Sequence, residues 1–381
     1  GSQFKIIASH KFLPKNIINN LKLGFDPSLF TKNNLNLYFG NSLKTKSIKN
    51  NLIDEIYYKK NSKRKLFYSL SDKSVGESYK SKINKISNML KLKKADYLFI
   101  SSPENVAWLM NIRGYDNPNS PIPNCRLLIN RNKKFFLIVE KEVVSKIIKE
   151  NKFKKEQIIN PEKFENFIEK LDGNKFIIDT LSCSILNEKI IEKNFKILKE
   201  KDPCYELKSI KNSTEINNTI NAHIEDGLAL TRFIYWIKNI NKKKITEIEA
   251  KNKLQKFRKL NKNDLFLCDS GGQYKFGTTD VTRTICFSKP KNYIKEIFTK
   301  VLKGHIAVAT TNLNKNFNGR LIDPLARKYL KKSGLDFKHG TGHGVGFFLN
   351  VHEGPQSISK YNNIRLKEGM ILSNEPGFYK K

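Results

Sequence analysis

The chain has 381 residues, 39% of them hydrophobic, and its 71 basic and 36 acidic residues give a formal charge of +35. This length exceeds one ordinary hydrophobic core and predicts two or three domains. Because no run of about 18 apolar residues occurs, the sequence predicts no membrane-spanning helix, and we expect no membrane partner. The five cysteines are scattered and include no CxxC pair, which indicates free thiols in a reducing compartment.

The positive charge has two interpretations, a nucleic-acid surface or a compositional bias. Only 10 of the 71 basic residues are Arg, whereas proteins that read nucleic acids rely on Arg for bidentate contacts. The Lys residues are spread along the whole chain among Asn and Ile. The composition therefore favours bias over a specific nucleic-acid site, and salt-dependent, non-specific association with polyanions is expected on either interpretation.

The N-terminal half divides by its pattern. Residues 1–75 are polar and rich in Asn and Lys, with one strand-like stretch, Gly24–Pro27, that leads into a turn. The region that follows alternates between helical and strand patterns and predicts an α/β unit. Its predicted elements are a helix over Tyr79–Leu92, a strand over Tyr97–Ile100, a short helix over Val106–Met110, a hairpin of Arg126–Ile129 with Phe135–Val139, and a strand over Phe176–Asp179.

A boundary is predicted at Asp202–Pro203, because the residue before a proline disfavours helix. Ser213 is a candidate N-cap for a long helix that ends near Asn239. From Leu265 the pattern turns to short strands joined by glycines, interrupted by a helix near Tyr293–Thr310. This last part of the chain is therefore predicted to form an α+β unit.

Two aspartates carry the first chemical signal. Asp269 ends the apolar run Leu265–Cys268 and is followed by two glycines, and Asp280 precedes the strand-like run Val281–Ile285. The two carboxylates can converge from neighbouring strands, where like charges repel unless a cation lies between them. Either Asp alone is better interpreted as an Asx-turn residue, and it is the pair that favours a metal site.

A histidine and a glutamate extend this signal. His343 stands among four glycines in the run His339–Gly346, and Glu375 follows an apolar strand and precedes a Pro-Gly turn. The zinc-peptidase pattern HExxH does not apply, because no Glu follows His339 and the glycines argue against a helix. A lone His is more often a core or loop residue, and a lone Glu at a strand end is often merely exposed. The glycines favour His343 as a ligand because they let the backbone approach a bound ion closely.

These four side chains would form an oxygen-rich donor set with one imidazole. Such a set suits hard to borderline divalent ions such as Mn²⁺, Co²⁺ or Zn²⁺. Two ions about 3.5–4 Å apart can lower the pKa of a shared water and polarise a carbonyl, which is the chemistry of amide hydrolysis.

Four long motifs resemble the M24 metallopeptidases, which have the pita-bread fold, and within them the cytosolic aminopeptidase P subgroup. The motifs are DSGGQYKFGTTDVTRT, VLKGHIAVA, HGTGHGVGFFLNVHEGP and EGMILSNEPGFY. The resemblance covers most of the chain and implies a creatinase N-terminal-like α/β part followed by an α+β pita-bread catalytic domain. On this basis residues 1–75 are the remnant of a first N-terminal domain with a basic linker, 76–202 are a second α/β domain, and 203–381 are the catalytic domain, truncated at its C-terminal end.

The resemblance implies a ligand set. Asp269 would bind one metal ion, Asp280 would bridge both ions, and His343 and Glu375 would bind the second. The cofactor would be two divalent ions, with Mn²⁺ preferred and Zn²⁺ or Co²⁺ as alternatives.

Two further histidines would contact the substrate. His352 would contact the scissile peptide and support the tetrahedral intermediate, and His339 would line the substrate pocket. The implied reaction is the metal-dependent removal of the N-terminal residue from peptides with proline in second position, in the cytoplasm. The resemblance also implies a homodimer, and no specific nucleic-acid partner is expected.

The sequence departs from the family in three places. The family's second bridging Glu lies downstream of the motif Asn374–Gly377, whereas this sequence stops at Lys381. The family's His-bearing loop before the strand of Asp269 and most of the first domain are also absent. Because a missing bridge leaves two cations less compensated, we expect the 381-residue chain to bind metal weakly and to show little activity. The alternatives are a prolidase-like Xaa-Pro dipeptidase and a non-catalytic pita-bread module with a basic nucleic-acid-binding surface.

Overall fold

The computed structural model describes residues 22–39, 44–48, 51, 53–54, 65–117, 119–239, 265–274, 276–286 and 289–379. Its helices are α1 Lys32–Phe39, α2 Asp72–Val75, α3 Tyr79–Leu92, α4 Pro103–Leu109, α5 Ser145–Lys149, α6 Phe164–Ile168, α7 Ile185–Glu192, α8 Cys204–Ser209, α9 Ser213–Asn239, α10 Asn292–Ala309 and α11 Gly319–Lys331.

The strands among the described residues are β1 Lys22–Phe25, β2 Lys44–Ser47, β3 Tyr68–Ser69, β4 Tyr97–Ile100, β5 Ile112–Arg113, β6 Arg126–Asn130, β7 Phe135–Ile138, β8 Ile158–Ile159, β9 Lys175–Ile178, β10 Lys196–Lys199, β11 Leu265–Ser270, β12 Gln273–Tyr274, β13 Gly277–Thr278, β14 Val281–Cys286, β15 Gly342–Gly344 and β16 Glu353–Ile358.

The chain divides into two compact units. The first comprises the described residues of Gly1–Ser69, Tyr79–Asp116 and Pro123–Pro203. The second comprises those of Leu70–Ser78, Asn117–Ile122 and Cys204–Lys381.

The first unit is built on a six-stranded mixed sheet in the order β10-β9-β4-β6-β7-β8. Strands β4, β9 and β10 are parallel, β6 is antiparallel to both β4 and β7, and β8 is parallel to β7. All four side chains of β4 are buried, as a central strand with both faces covered requires. The core includes two stacked aromatic pairs, Tyr97 with Phe176 and Phe99 with Phe164. The predicted α/β pattern of this region, including its first helix and its hairpin, is confirmed.

The long helix α9 organises the second unit. Its buried residues recur every three or four positions along one face, from Glu215 to Ile237. The N-cap is Asn212, and the prediction of Ser213 was wrong by one residue. The Asn212 side chain accepts from the backbone N–H of Glu215 (3.0 Å), and the Glu215 carboxylate accepts from the N–H of Asn212 (3.1 Å). This reciprocal capping box leaves Ser213 as the first helical residue.

Two hydrophobic clusters position the strands of the second unit. Side chains of α9, including Leu230 and Phe233, pack on Cys268 of β11, which pairs with β14 in antiparallel register. Helices α10 and α11 pack with Ile358 of β16 in the other cluster. At the contact of these two helices, a Cβ on Gly304 would lie 2.2 Å from the carbonyl oxygen of Ala326, so this close crossing needs glycine.

One sequence expectation for the second unit is wrong, and another concerns residues outside the described ones. The stretch Ile371–Ser373 is not a continuous strand, and it joins β15 through a single bridge between Gly344 and Leu372. The place where the family's His-bearing loop would lie, before Leu265, falls outside the described residues. In the part of the chain that the structure describes, no helix has both the length and the apolarity needed to cross a membrane.

Candidate metal centre

Three of the four predicted ligands converge in the second unit. One ligand atom from each of Asp280, His343 and Glu375 lies within 4.8 Å of the others. Nε2 of His343 is 2.9 Å from Oε1 of Glu375 and 3.2 Å from Oδ2 of Asp280. His343 lies on β15, Asp280 immediately precedes β14, and Glu375 lies on the extended segment that runs beside β15.

The orientation of the His343 ring fits a bound cation. Its Nδ1 lies 3.0 Å from the carbonyl oxygen of Gly344, and because a carbonyl can only accept, Nδ1 carries a hydrogen. Nε2 therefore faces the two carboxylates, yet neither this nitrogen nor Oε1 of Glu375 has a partner in hydrogen-bond alignment. A ring nitrogen and two carboxylates that point at one another in contacts poorly aligned for hydrogen bonds are an arrangement that a metal ion satisfies.

The electrostatics of the cluster favour positive charge. Burial lowers the pKa of His343, but the carboxylates of Asp280 and Glu375 and the Gly344 carbonyl outweigh it and raise the pKa to about 10. The contact with His343 in turn holds the pKa of Glu375 below its usual value against the effect of burial. Without metal, a proton on His343 compensates the two carboxylates, and a divalent cation would replace it.

Asp269 lies beside this cluster rather than in it. The register of β11 with β14 pairs Asp269 with Thr282, whose hydroxyl donates to Oδ1 of Asp269 (3.1 Å). Paired residues share a face of an antiparallel sheet, and so do residues two apart on one strand. Asp280 directly precedes β14, and continuing the pleat of that strand by one residue puts Asp280 on the face of Asp269. Burial and the carboxylates of Asp269 and Glu375 raise the pKa of Tyr379, so both carboxylates act on one side chain.

The two histidines expected to contact substrate border the cluster. The ring of His352 packs edge to face on that of His343, with centroids 4.0 Å apart. His339 is exposed and its ring lies 5.5 Å from that of Tyr379. The structure thus places both histidines around the converged carboxylates, as a substrate-contacting role would require.

The glycines around His343 serve close packing of the main chain. A Cβ on Gly344 would lie 2.3 Å from the carbonyl oxygen of Glu353, and a Cβ on Gly346 would lie 2.5 Å from that of Asn350. Glycine is required at both positions because neighbouring backbone atoms occupy the space that a Cβ atom would need. Room for a ligand is therefore not the only reason for these glycines. The expectation of a non-helical backbone at His343 is confirmed, since β15 is a strand.

Arg327 holds the segment that leads to His343. Its guanidinium donates to the carboxylate of Asp323 (2.8 and 3.1 Å) and to the carbonyl oxygens of Phe337 (2.6 Å) and His339 (2.7 Å). The hydroxyl of Thr341 donates to the same Asp323 carboxylate (2.6 Å). One helix of the second unit therefore fixes the main chain on both sides of His339.

Sequence reasoning did not find Arg327, nor the buried charges Lys208, Lys211 and Glu353, the last of which follows His352 in the sequence. The chain has 71 basic residues, and the sequence around a buried Lys does not distinguish it from the many exposed ones. Lys208 lies in the last turn of a short helix and Lys211 follows that helix, and a spacing of three residues between lysines is ordinary at the protein surface.

Both parts of the chain match known protein families. Residues 59–215 match the Creatinase/Prolidase N-terminal domain, and residues 240–381 match Metallopeptidase family M24. A "Probable Xaa-Pro aminopeptidase P" of Coprinopsis cinerea is 31% identical over 97% of this chain and 69% of its own length. A Dictyostelium discoideum protein named "Xaa-Pro aminopeptidase 1" is 32% identical over 97% of this chain and 67% of its own length.

A solved structure extends the likeness to three dimensions. It is the X-prolyl aminopeptidase of Caenorhabditis elegans, described as a cytosolic enzyme with a di-nuclear active site, with a TM-score of 0.85 and 28% identity. The match covers 100% of this chain and 70% of the nematode chain. The fold is thus a creatinase N-terminal-like domain followed by a pita-bread catalytic domain.

The chain belongs to metallopeptidase family M24. The fungal and Dictyostelium relatives above are named Xaa-Pro aminopeptidases, and the chain spans roughly two thirds of their length.

Proposed function

We propose that this protein is a metal-dependent Xaa-Pro aminopeptidase, which releases the N-terminal residue from peptides with proline in second position. The observation that carries the proposal is the convergence of Asp280, His343 and Glu375, with His352 packed on His343, in a chain related to Xaa-Pro aminopeptidases.

The proposed cofactor is a pair of divalent ions, with Mn²⁺ as the preferred metal. Asp280, His343 and Glu375 would hold one ion, and Asp269, on the same sheet face as Asp280, would contribute to the other. The di-nuclear site of the nematode relative supports two ions. The pair would supply a Lewis acid for the scissile carbonyl and make water acidic enough to attack near neutral pH.

The chain's own residues would bind and orient the peptide around this centre. His352 would donate to the carbonyl oxygen of the scissile bond, because its ring borders that of His343 and is open to solvent. His339 and the neighbouring Tyr379 ring would line the pocket for the substrate. Such donors stabilise the charge that develops on oxygen in the tetrahedral transition state.

We further propose a cytoplasmic location, a homodimer and no specific nucleic-acid partner. All five cysteines are free, which suits a reducing compartment, and the nematode relative is described as cytosolic.

The test is hydrolysis of an Xaa-Pro-Xaa tripeptide and of an Xaa-Pro dipeptide with Mn²⁺ present. The expected result is slow cleavage of the tripeptide after its first residue, in keeping with the weak metal binding expected of this chain. That cleavage should be lost on dialysis against EDTA and in Asp280→Asn. The matched control is Asp172→Asn, which removes an exposed carboxylate of the first unit and should leave the rate unchanged. Cleavage of the dipeptide alone would replace the proposal with a prolidase. Strong salt-dependent nucleic-acid binding without bound metal would replace it with a binding module.

A further inference from the structure

Three charged side chains are buried together at the start of β16, the strand that pairs with the strand of His343. Nζ of Lys208 lies 2.8 Å from Oε2 of Glu353, and Nζ of Lys211 lies 2.5 Å from its Oε1. Their side chains are 3%, 0% and 2% exposed for Lys208, Lys211 and Glu353 respectively. Glu353 follows His352 in the sequence, so this triad is covalently joined to a residue of the proposed substrate site.

Stability alone does not explain the triad of Lys208, Lys211 and Glu353. Two ammonium groups and one carboxylate leave a net positive charge in the interior, and each charge has lost its hydration. Buried ion pairs are often no more stabilising than apolar residues of the same size, and they are better explained where they fix geometry.

The triad holds the start of β16. Glu353 lies opposite Gly344 in the pairing of β15 with β16, whereas His343 lies opposite Ser357, so the register shifts between His343 and Gly344. Such a shift interrupts the ladder of backbone hydrogen bonds between the two strands. The two lysines bind both carboxylate oxygens of Glu353, the residue that follows His352.

Lys211 also connects to the segment of Glu375. Its backbone N–H donates to the carbonyl oxygen of Gly369 (2.9 Å), and the adjacent Ile210 bridges to Met370. One short stretch between α8 and α9 therefore contacts both main-chain segments that border the metal centre.

We propose that Lys208, Lys211 and Glu353 are positioning residues that hold the His352 ring against the ring of His343. The catalytic consequence rests on the proposed function, since it assumes that His352 contacts the peptide. The positional claim concerns only this chain's own side chains and can be measured without substrate.

The first experiment uses the imidazole resonances of the metal-free protein in a ¹H–¹³C aromatic NMR spectrum. The chain has six histidines, and the spectrum of His352→Asn identifies the signal of His352. Glu353→Gln should shift or broaden that signal and leave those of His223 and His305 in place. A His352 signal that superposes on that of the wild type would overturn the proposal.

Two further variants separate a local displacement of His352 from a general loss of folding. The first is a triple variant, Lys208→Met/Lys211→Met/Glu353→Met, which replaces the whole triad by apolar side chains of similar length. It is expected to fold even if Glu353→Gln does not, because no buried charge is left without a partner. It should move the His352 signal in the same way. Glu188→Gln is the matched control, because Glu188 is also buried and held by two lysines, Lys32 and Lys199, but in the first unit. An equal shift of His352 in this control would show a global effect and overturn the proposal.

The second experiment is a kinetic cycle with an Xaa-Pro-Xaa substrate. Glu353→Gln should lower kcat about 10- to 100-fold with a smaller change in KM, since a displaced catalytic group costs rate. In the His352→Ala background the same change should cost no more than about twofold, because the two residues act as one unit. Independent, multiplicative losses would contradict the proposal. A wild-type protein that cleaves no such peptide would refute the proposed function and leave the NMR result to decide the positional claim.

Discussion

Gly342 and Ser373 are in direct main-chain contact, so that a Cβ atom on Gly342 would lie 2.0 Å from the carbonyl oxygen of Ser373. Beside this contact, the backbone N–H of His343 donates to the Ser373 hydroxyl (2.9 Å), and the N–H of Ser373 donates to the carbonyl oxygen of His343 (2.8 Å). These contacts hold the segment of Glu375 against β15. The separation of two proposed ligands is therefore set by the main chain.

Gly342→Ala should separate these two segments. A methyl group at this position would clash with the backbone of Ser373, which cannot move aside as a flexible side chain could. Such overpacking typically costs about 1–3 kcal/mol. We expect a lower free energy of unfolding in urea and weaker Mn²⁺ binding by calorimetry. The control is Gly227→Ala in α9, where a Cβ meets nothing within 4 Å, and where a gain of about 0.5–1 kcal/mol is expected. Equal stability of Gly342→Ala and the wild type would contradict the close contact.

Asp269→Asn should change the number of metal ions bound. Asp269 lies outside the cluster of Asp280, His343 and Glu375 but on the same sheet face as Asp280. If it serves a second ion, its loss should lower the number of Mn²⁺ ions per chain from two towards one in equilibrium dialysis. Asp172→Asn should bind metal as the wild type does. An unchanged stoichiometry of two would remove Asp269 from the ligand set.

Arg327→Lys should destabilise the second unit. A Lys cannot reproduce the planar set of donors that reaches Asp323, Phe337 and His339 together. Removing one partner of a buried ion pair costs about 3–5 kcal/mol, and the residual charge of Lys places the expected loss near the lower end, at about 3 kcal/mol. Lys300→Ala, which removes an exposed helical pair, should leave the free energy of unfolding nearly unchanged. A small loss in Arg327→Lys would show that the segment is held by its other contacts.

Asp96 should contribute a pH-dependent term to the stability of the first unit. Burial raises its pKa, but hydrogen bonds from the backbone N–H groups of Asn174 (2.8 Å) and Lys175 (3.0 Å), together with Arg131, lower it below 3.8 overall. A pKa depressed by folding gives stability that is present above the unfolded value and is lost as pH falls through the folded value.

Asp96→Asn should therefore be less stable than the wild type at pH 7, by about 1–2 kcal/mol. The difference should shrink as the pH falls below 3.8. Urea unfolding at several pH values between 7 and 3 measures it, and a difference that does not depend on pH would contradict the ionised role of Asp96.

The sequence predicted the family, the fold class and the main elements. Elements such as Tyr79–Leu92 and Tyr97–Ile100 are legible because burial imposes their apolar spacing directly on neighbouring residues. The cap of α9 was placed one residue late, because Asn212 and Ser213 are both good capping residues and only the side-chain geometry separates them.

The site was predictable only in part. Its ligand types follow from the motifs, but their convergence depends on the register of β11 with β14 and on contacts between segments far apart in the sequence. The burial of Lys208, Lys211 and Glu353 depends on the same long-range packing. The periodicity of apolar residues predicts which face of a helix or strand is buried. It does not predict which charged side chains are buried together.

The pairing of β11 with β14 also constrains how this region can change in length during evolution. Asp269 is opposite Thr282, and Asp280 shares their face because it stands two positions before Thr282. Residues added between Ser270 and Asp280 extend the connection and leave both carboxylates on that face. A single insertion between Asp280 and Thr282 would turn Asp280 to the opposite side of the sheet. Homologues should therefore tolerate indels in the connection and exclude them from the two positions after Asp280.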